Sequence, residues 1–281
     1  MDKQKKVKLV CLPYAGGSAM MYKAWIDRFA DTAEIVQPEL PGRGLRFRDP
    51  PAESMEALTD DLRDKLKKAV GDDDYILLGF CFGAIVAYAL YQKLTAEKSV
   101  HSPSGMIIIS SLPPGLHSDA EKLFEMSNFT VVKALLGIFS FNPFKASKKE
   151  MGIIKTMLEI VNPDVAEELR KMNLFQLILA FMFPLYKKSR DCQNVLRIMR
   201  QDGRLMYGYN GEENSVPVAV PVLAVHGAKD NVVTKDAVLK WKDFCSGSFD
   251  FEEVSGGHLM LFDDDEHFWD ILMGAVNSMK Q

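Results

Sequence analysis

Cysteine is scarce in this chain, positive charge is not in excess, and no apolar run is long. The four cysteines, Cys11, Cys81, Cys192 and Cys245, are scattered over 281 residues. They have neither the density of a disulfide scaffold nor the paired spacing of a zinc site, so a reducing cytoplasm is the expected setting. With 34 basic against 38 acidic residues the net charge is -4. That balance lacks the basic surplus needed to neutralise phosphate backbones, and no nucleic acid partner is expected. The one basic cluster, Lys3, Lys5, Lys6 and Lys8, reads as a solvated leader to the first strand. Lys8, Pro13 and Gly16-Gly17 break the apolar stretch that follows, so no secretory signal is expected. The uncharged run Ile76 to Tyr91 falls short of the ~20 residues that span a bilayer, and no membrane partner is expected either.

A composition that is 47% hydrophobic and 26% charged suits a packed globular chain. Short β-rich runs alternate with helical patterns: strands over Val7–Leu12, Ala33–Val36, Tyr75–Leu78, Met106–Ile109, Val222–Val225 and Phe249–Val254. Helices are expected over Ala84–Leu94, Lys235–Phe244 and Glu266–Met279, and after Ser54, where Met55, Leu58, Leu62, Leu66 and Val70 form one apolar stripe. Strand-helix repeats of this kind predict a single α/β domain over residues 1–281, its mostly parallel sheet covered on both faces. Between residues 112 and 207 strands give way to helical segments around Phe129–Phe139, Met151–Ile160, Val165–Phe183 and Asp191–Met199. This stretch predicts an inserted helical lid whose many methionines offer an adaptable apolar wall for an acyl cavity.

The chemistry gathers at Gly79-Phe80-Cys81-Phe82-Gly83, between a buried strand and a helix. That is the context of a nucleophile elbow, in which flanking glycines let a strained turn fit between strand and helix. Cys81 would stand at a helix N-terminus, where the dipole favours a thiolate. Asp230 follows 149 residues later and His258 another 28, the order nucleophile, acid, histidine that this architecture requires. Both lie in loops after predicted strands, where parallel sheets place their sites. Cys81, Asp230 and His258 are therefore the candidate catalytic residues, while His226 reads as structural. An oxyanion needs preset donors, expected here from the backbone amides of Phe82 and, beside Gly16-Gly17, of Ala15.

These segments resemble the type II thioesterases that serve polyketide and nonribosomal peptide synthetases, members of the α/β-hydrolase fold. The resemblance rests on Leu12-Pro13-Tyr14-Ala15-Gly16-Gly17-Ser18, on Tyr22 and Trp25, on Pro38-Glu39-Leu40-Pro41-Gly42-Arg43-Gly44, on the elbow, the Asp230 loop and Gly256-Gly257-His258. It implies hydrolysis of acyl thioesters from the phosphopantetheine arm of an acyl or peptidyl carrier protein, with no metal or bound organic cofactor. It also implies Ala15 and Phe82 as oxyanion donors. The chain departs from the family in carrying cysteine where serine is usual, and in the pattern from about Phe183 to Val218. A cysteine thioester passes readily to amines and thiols, so transfer of the acyl group to a second carrier or an amine stands beside hydrolysis. A carrier-protein binder without catalysis is a third reading.

Overall fold

Residues 6–98, 100–116, 190–211, 214–263 and 265–280 are described by the structure, a computed structural model. Most of the expected lid, including the helices anticipated between residues 129 and 183, lies outside the described residues.

Six apolar runs form strands: β1 (Val7–Leu12), β2 (Ala33–Val36), β3 (Tyr75–Phe80), β4 (Gly105–Ile109), β5 (Val222–Gly227) and β6 (Phe249–Val254). They pair in parallel as one sheet of order β2-β1-β3-β4-β5-β6. Parallel neighbours cannot be joined by a tight turn and need crossovers, which explains the spacing of the runs in the sequence. The helices are α1 (Trp25–Arg28), α2 (Met55–Val70), α3 (Phe82–Glu97), α4 (Arg190–Gly208), α5 (Lys235–Leu239) and α6 (Glu266–Ser278).

Alternate residues along the central strands face opposite sides. Val10, Leu12, Leu77 and Ile108 pack with α2 and α3, while Leu9, Ile76, Leu78 and Ile109 pack with α1 and α6. The α2 stripe is buried as its spacing requires, and Ser54 caps the helix by accepting from the Ala57 amide at 3.0 Å. Burying each such Leu or Val contributes ~1.5–3 kcal/mol, and the cap about 1 kcal/mol. On the other face Tyr22, Trp25, Phe29 and Trp269 form an aromatic cluster, and the Tyr22 hydroxyl donates to the Leu12 carbonyl at 2.8 Å. Tyr22 and Trp25 thus anchor the end of β1 from below.

Three helices differ from their sequence patterns, and the one expected over Asp191–Met199 continues to Gly208. α3 begins at Phe82, directly out of the elbow, and the helix expected over Lys235–Phe244 tightens after Leu239 into a 3-10 turn. In that turn Trp241 is fully buried and its indole donates to the Ser111 carbonyl at 2.9 Å. Among the described residues no helix is long and apolar enough to cross a membrane.

Candidate active site

The carboxyl ends of β3, β5 and β6 bring together the three residues that the sequence singles out. Cys81 joins β3 to α3 with φ 53° and ψ -115°, a backbone conformation that side chains rarely adopt. Its neighbours make that strain tenable. A Cβ at Gly79 would run into the backbone of Gly83 and Ala84, and one at Gly83 into the carbonyls of Leu12 and Pro13. Both elbow glycines are therefore demanded by backbone on the far side, as the motif implies. The turn is tied down by the Cys81 amide donating to Ile109 at 2.9 Å and by the Ser111 hydroxyl donating to the Cys81 carbonyl at 2.9 Å. Ser111 is a supporting residue that no pattern in the sequence announces.

The Asp230 loop starts where β5 ends, with the Asp230 amide donating to Gly227 at 2.8 Å. One carboxylate oxygen accepts from the amides of Val232 and Val233 at 2.8 and 3.0 Å, and the other meets His258 Nδ1 at 2.8 Å. Burial would raise the acid's pKa, but His258 and the two amides outweigh it and leave it below the usual carboxylate range. His258 is itself buried, with its ring 5.4 Å from that of Phe80. Burial alone would depress the imidazole; hydrogen bonding to Asp230 and to the Cys81 sulfur overcomes it and pushes the pKa up to about 10. The ring thus stands between sulfur and carboxylate and holds its proton at neutral pH.

The other titratable candidates fall to structural roles. His226 is buried, with Nε2 3.0 Å from the Val233 carbonyl and Nδ1 3.4 Å from Glu253, so it braces the Asp230 loop against β6. Cys11 is sealed in the core and its thiol is raised well above the ordinary value by burial, while Cys245 donates to the Trp241 carbonyl. Cys81 alone among these three lines a cleft, together with Ile85, Leu112, Met206, Tyr207 and Val233.

Facing the elbow is the turn after β1. Gly17 donates to the Tyr14 carbonyl at 2.8 Å and Gly16 has φ 82°, the left-handed value that a type II turn needs at its third position. Among the described residues neither the Ala15 amide nor the Phe82 amide is spent on a backbone or side-chain acceptor. The turn is clamped from outside. Arg43, buried, forms a bidentate pair with Asp202 of α4 at 2.6 Å on both branches and donates to the Gly17 carbonyl at 3.1 Å. Asp202 in turn accepts from the Gly16 amide at 2.8 Å. Arg43 sits in the Pro-Gly-Arg-Gly segment picked out by the sequence; Asp202 was missed, since an acid in a polar helix carries no local mark.

Comparison with known proteins agrees with this geometry. A family model described as the thioesterase domain matches residues 7–275. The AMB antimetabolite synthetase AmbE of Pseudomonas aeruginosa is 24% identical over 91% of the chain, which spans only 10% of that much longer protein. Thioesterase PikA5 of Streptomyces venezuelae is 23% identical over 92% of the chain and 76% of its own length. The solved structure of YbtT, a type II thioesterase from the yersiniabactin NRPS/PKS pathway, superposes with a TM-score of 0.74 at 18% identity, covering 99% of this chain and 96% of that one. At that identity the likeness establishes the α/β-hydrolase fold, and with the family model matched over almost its whole length the chain belongs to the thioesterase domain family.

Proposed function

We propose that the chain is a stand-alone thioesterase that removes acyl or aminoacyl groups from the phosphopantetheine arm of carrier proteins in polyketide or nonribosomal peptide synthesis. The observation that carries the reading is a buried imidazole, 2.8 Å from a carboxylate and hydrogen-bonded to the sulfur of a strained elbow that opens on an apolar cleft. PikA5 is named a thioesterase, and YbtT comes from an NRPS/PKS biosynthetic pathway, which supports the pathway class.

In this reading the Cys81 sulfur attacks the thioester carbonyl, and the oxyanion is met by the amides of Phe82 and Ala15. The intermediate collapses by breaking the bond to the carrier's sulfur, which leaves as a thiol with the proton from His258. The acyl group now rests on Cys81. A water molecule then attacks, gives a proton to the neutral ring, and the acid departs while the Cys81 thiolate is regenerated. Asp230 keeps the ring in one orientation and offsets its positive charge. A protonated ring cannot serve a serine as base, but it suits a sulfur that attacks as a thiolate and a leaving thiol that must be protonated.

The sulfur also favours a second outcome. Moving an acyl group from one sulfur to another is nearly balanced, and the resulting thioester remains open to amines and thiols, so transfer to a second acceptor competes with hydrolysis. An acyl-loaded carrier protein is the test. Intact-mass measurement should find the acyl group on Cys81 and then as free acid, or on an added amine or second carrier if transfer dominates. Cys81→Ala should abolish turnover without loss of fold, and undiminished single-turnover release by that variant would sink the proposal.

A further inference from the structure

The turn that presents the Ala15 amide has no disulfide or strand pairing to hold it, yet an oxyanion donor must be aimed before the reaction begins. Its Tyr14–Ala15 peptide is oriented by the Gly17 bond to the Tyr14 carbonyl. Because that peptide is trans, the Ala15 N–H points opposite to the carbonyl, away from the inside of the turn. Two further polar groups of the turn are taken by the buried pair: Asp202 holds the Gly16 amide and Arg43 the Gly17 carbonyl. Met199, one helical turn before Asp202 on α4, lies where a Gly16 side chain would be.

Desolvation cancels much of the Coulombic gain of a buried ion pair, so such a pair is weak support for a purely stabilising role. Here the pair also binds the turn, Arg43 Nη1 donating to the Gly17 carbonyl and Asp202 accepting from the Gly16 amide, while Arg43 Nε is buried without a partner among the described residues. We infer that Arg43 and Asp202 are positioning residues, which fix the Ala15 amide toward the thioester oxygen by clamping Gly16 and Gly17 from the opposite side. The inference rests on the proposed acyl-Cys81 reaction and adds the pair that presets one of its two oxyanion donors. It assigns to the ion pair an effect on the rate of carbonyl attack, separate from its effect on stability.

The test removes both charges at once, in Arg43→Met/Asp202→Leu, because replacing a whole buried pair by apolar groups often leaves stability intact. Two reactions of Cys81 are then compared. Acylation by an acyl-thioester passes through an oxyanion; alkylation by iodoacetamide displaces iodide at a saturated carbon and needs no oxyanion donor. The double variant should lose about 100-fold or more in kcat for the thioester, the loss typical of one oxyanion donor. Its KM and its iodoacetamide rate should stay within about threefold of wild type. Equal retention of both reactions with a native melting curve would overturn the inference, as would a parallel loss of both. If the double variant does not melt cooperatively, Arg43→Lys, which keeps the charge but loses the fork that reaches both Asp202 and Gly17, is read by the same pair of rates. A wild-type protein that alkylates at Cys81 but forms no acyl adduct would instead bring down the thioesterase reading itself.

Discussion

The elbow at Cys81 and the turn at Ala15 follow the neighbouring strands β3 and β1, yet they are built by opposite means. The elbow is shaped by backbone: Gly79 and Gly83 are pressed against main-chain atoms, and the strained residue lies between them in the sequence. The turn is shaped by side chains brought from far away, with Arg43 27 residues beyond Gly16 and Asp202 186 residues beyond it. The elbow therefore rests on local sterics and the turn on tertiary contacts, and the two should fail differently when altered.

The largest contrast is expected at the glycines. Gly83→Ala forces a Cβ against the Leu12 and Pro13 carbonyls, neither of which can rotate away, and should cost ~3 kcal/mol of stability along with all turnover. Gly16→Ala meets only the Met199 side chain, which can move, and the φ of 82°, so ~1–2 kcal/mol is expected with a partial loss of rate. Urea melts and thioester kinetics on the two variants check the order; a Gly16 variant as damaged as the Gly83 one would erase the distinction.

Asp230→Asn ranks next. The family's serine enzymes need the acid to help make the nucleophile, whereas a thiolate needs less help, so the variant should fall well short of the loss in Cys81→Ala. Equal losses in single-turnover assays would contradict a sulfur that depends on the acid less than a serine does.

The smallest effect is a pH dependence. The folded His258 holds its proton up to about pH 10, against ~6.5 for an unfolded histidine. Between those values the folded state binds more protons, so stability falls as pH rises through that window and is fully present below it. The melting temperature of the wild type should consequently drop more steeply from pH 6.5 to 10 than that of His258→Gln. In Cys81→Ala, NMR titration of the imidazole should show a lower pKa than in the wild type, because one of the groups that hold its proton is gone.

Much of the fold was legible because each level of the sequence points the same way. All six strand runs are where the apolar patterning puts them, and the Met55-to-Val70 stripe is the buried face of its helix. That Cys81, Asp230 and His258 meet could be read because glycines and strand ends mark each of them. Asp202 could not, since what makes it important is Arg43, and nothing in either segment specifies the distance between them in space. Ser111 escaped for a similar reason: its hydroxyl matters through a bond to the Cys81 carbonyl, a partner in the turn after another strand. The tightening at Lys240–Phe244 was invisible too, as the demand of Trp241 for the Ser111 carbonyl is tertiary and the local pattern is helical.

The strand order has a consequence for how the protein comes into being. β1 and β3 lie in the first third of the chain, whereas β5 and β6, which carry the acid and the imidazole, are made last. During synthesis, which proceeds from the N-terminus, the thiol leaves the ribosome well ahead of both groups. A nascent or truncated chain thus carries its sulfur without the ring, and the grouping of sulfur, imidazole and carboxylate arises only as the final strands dock.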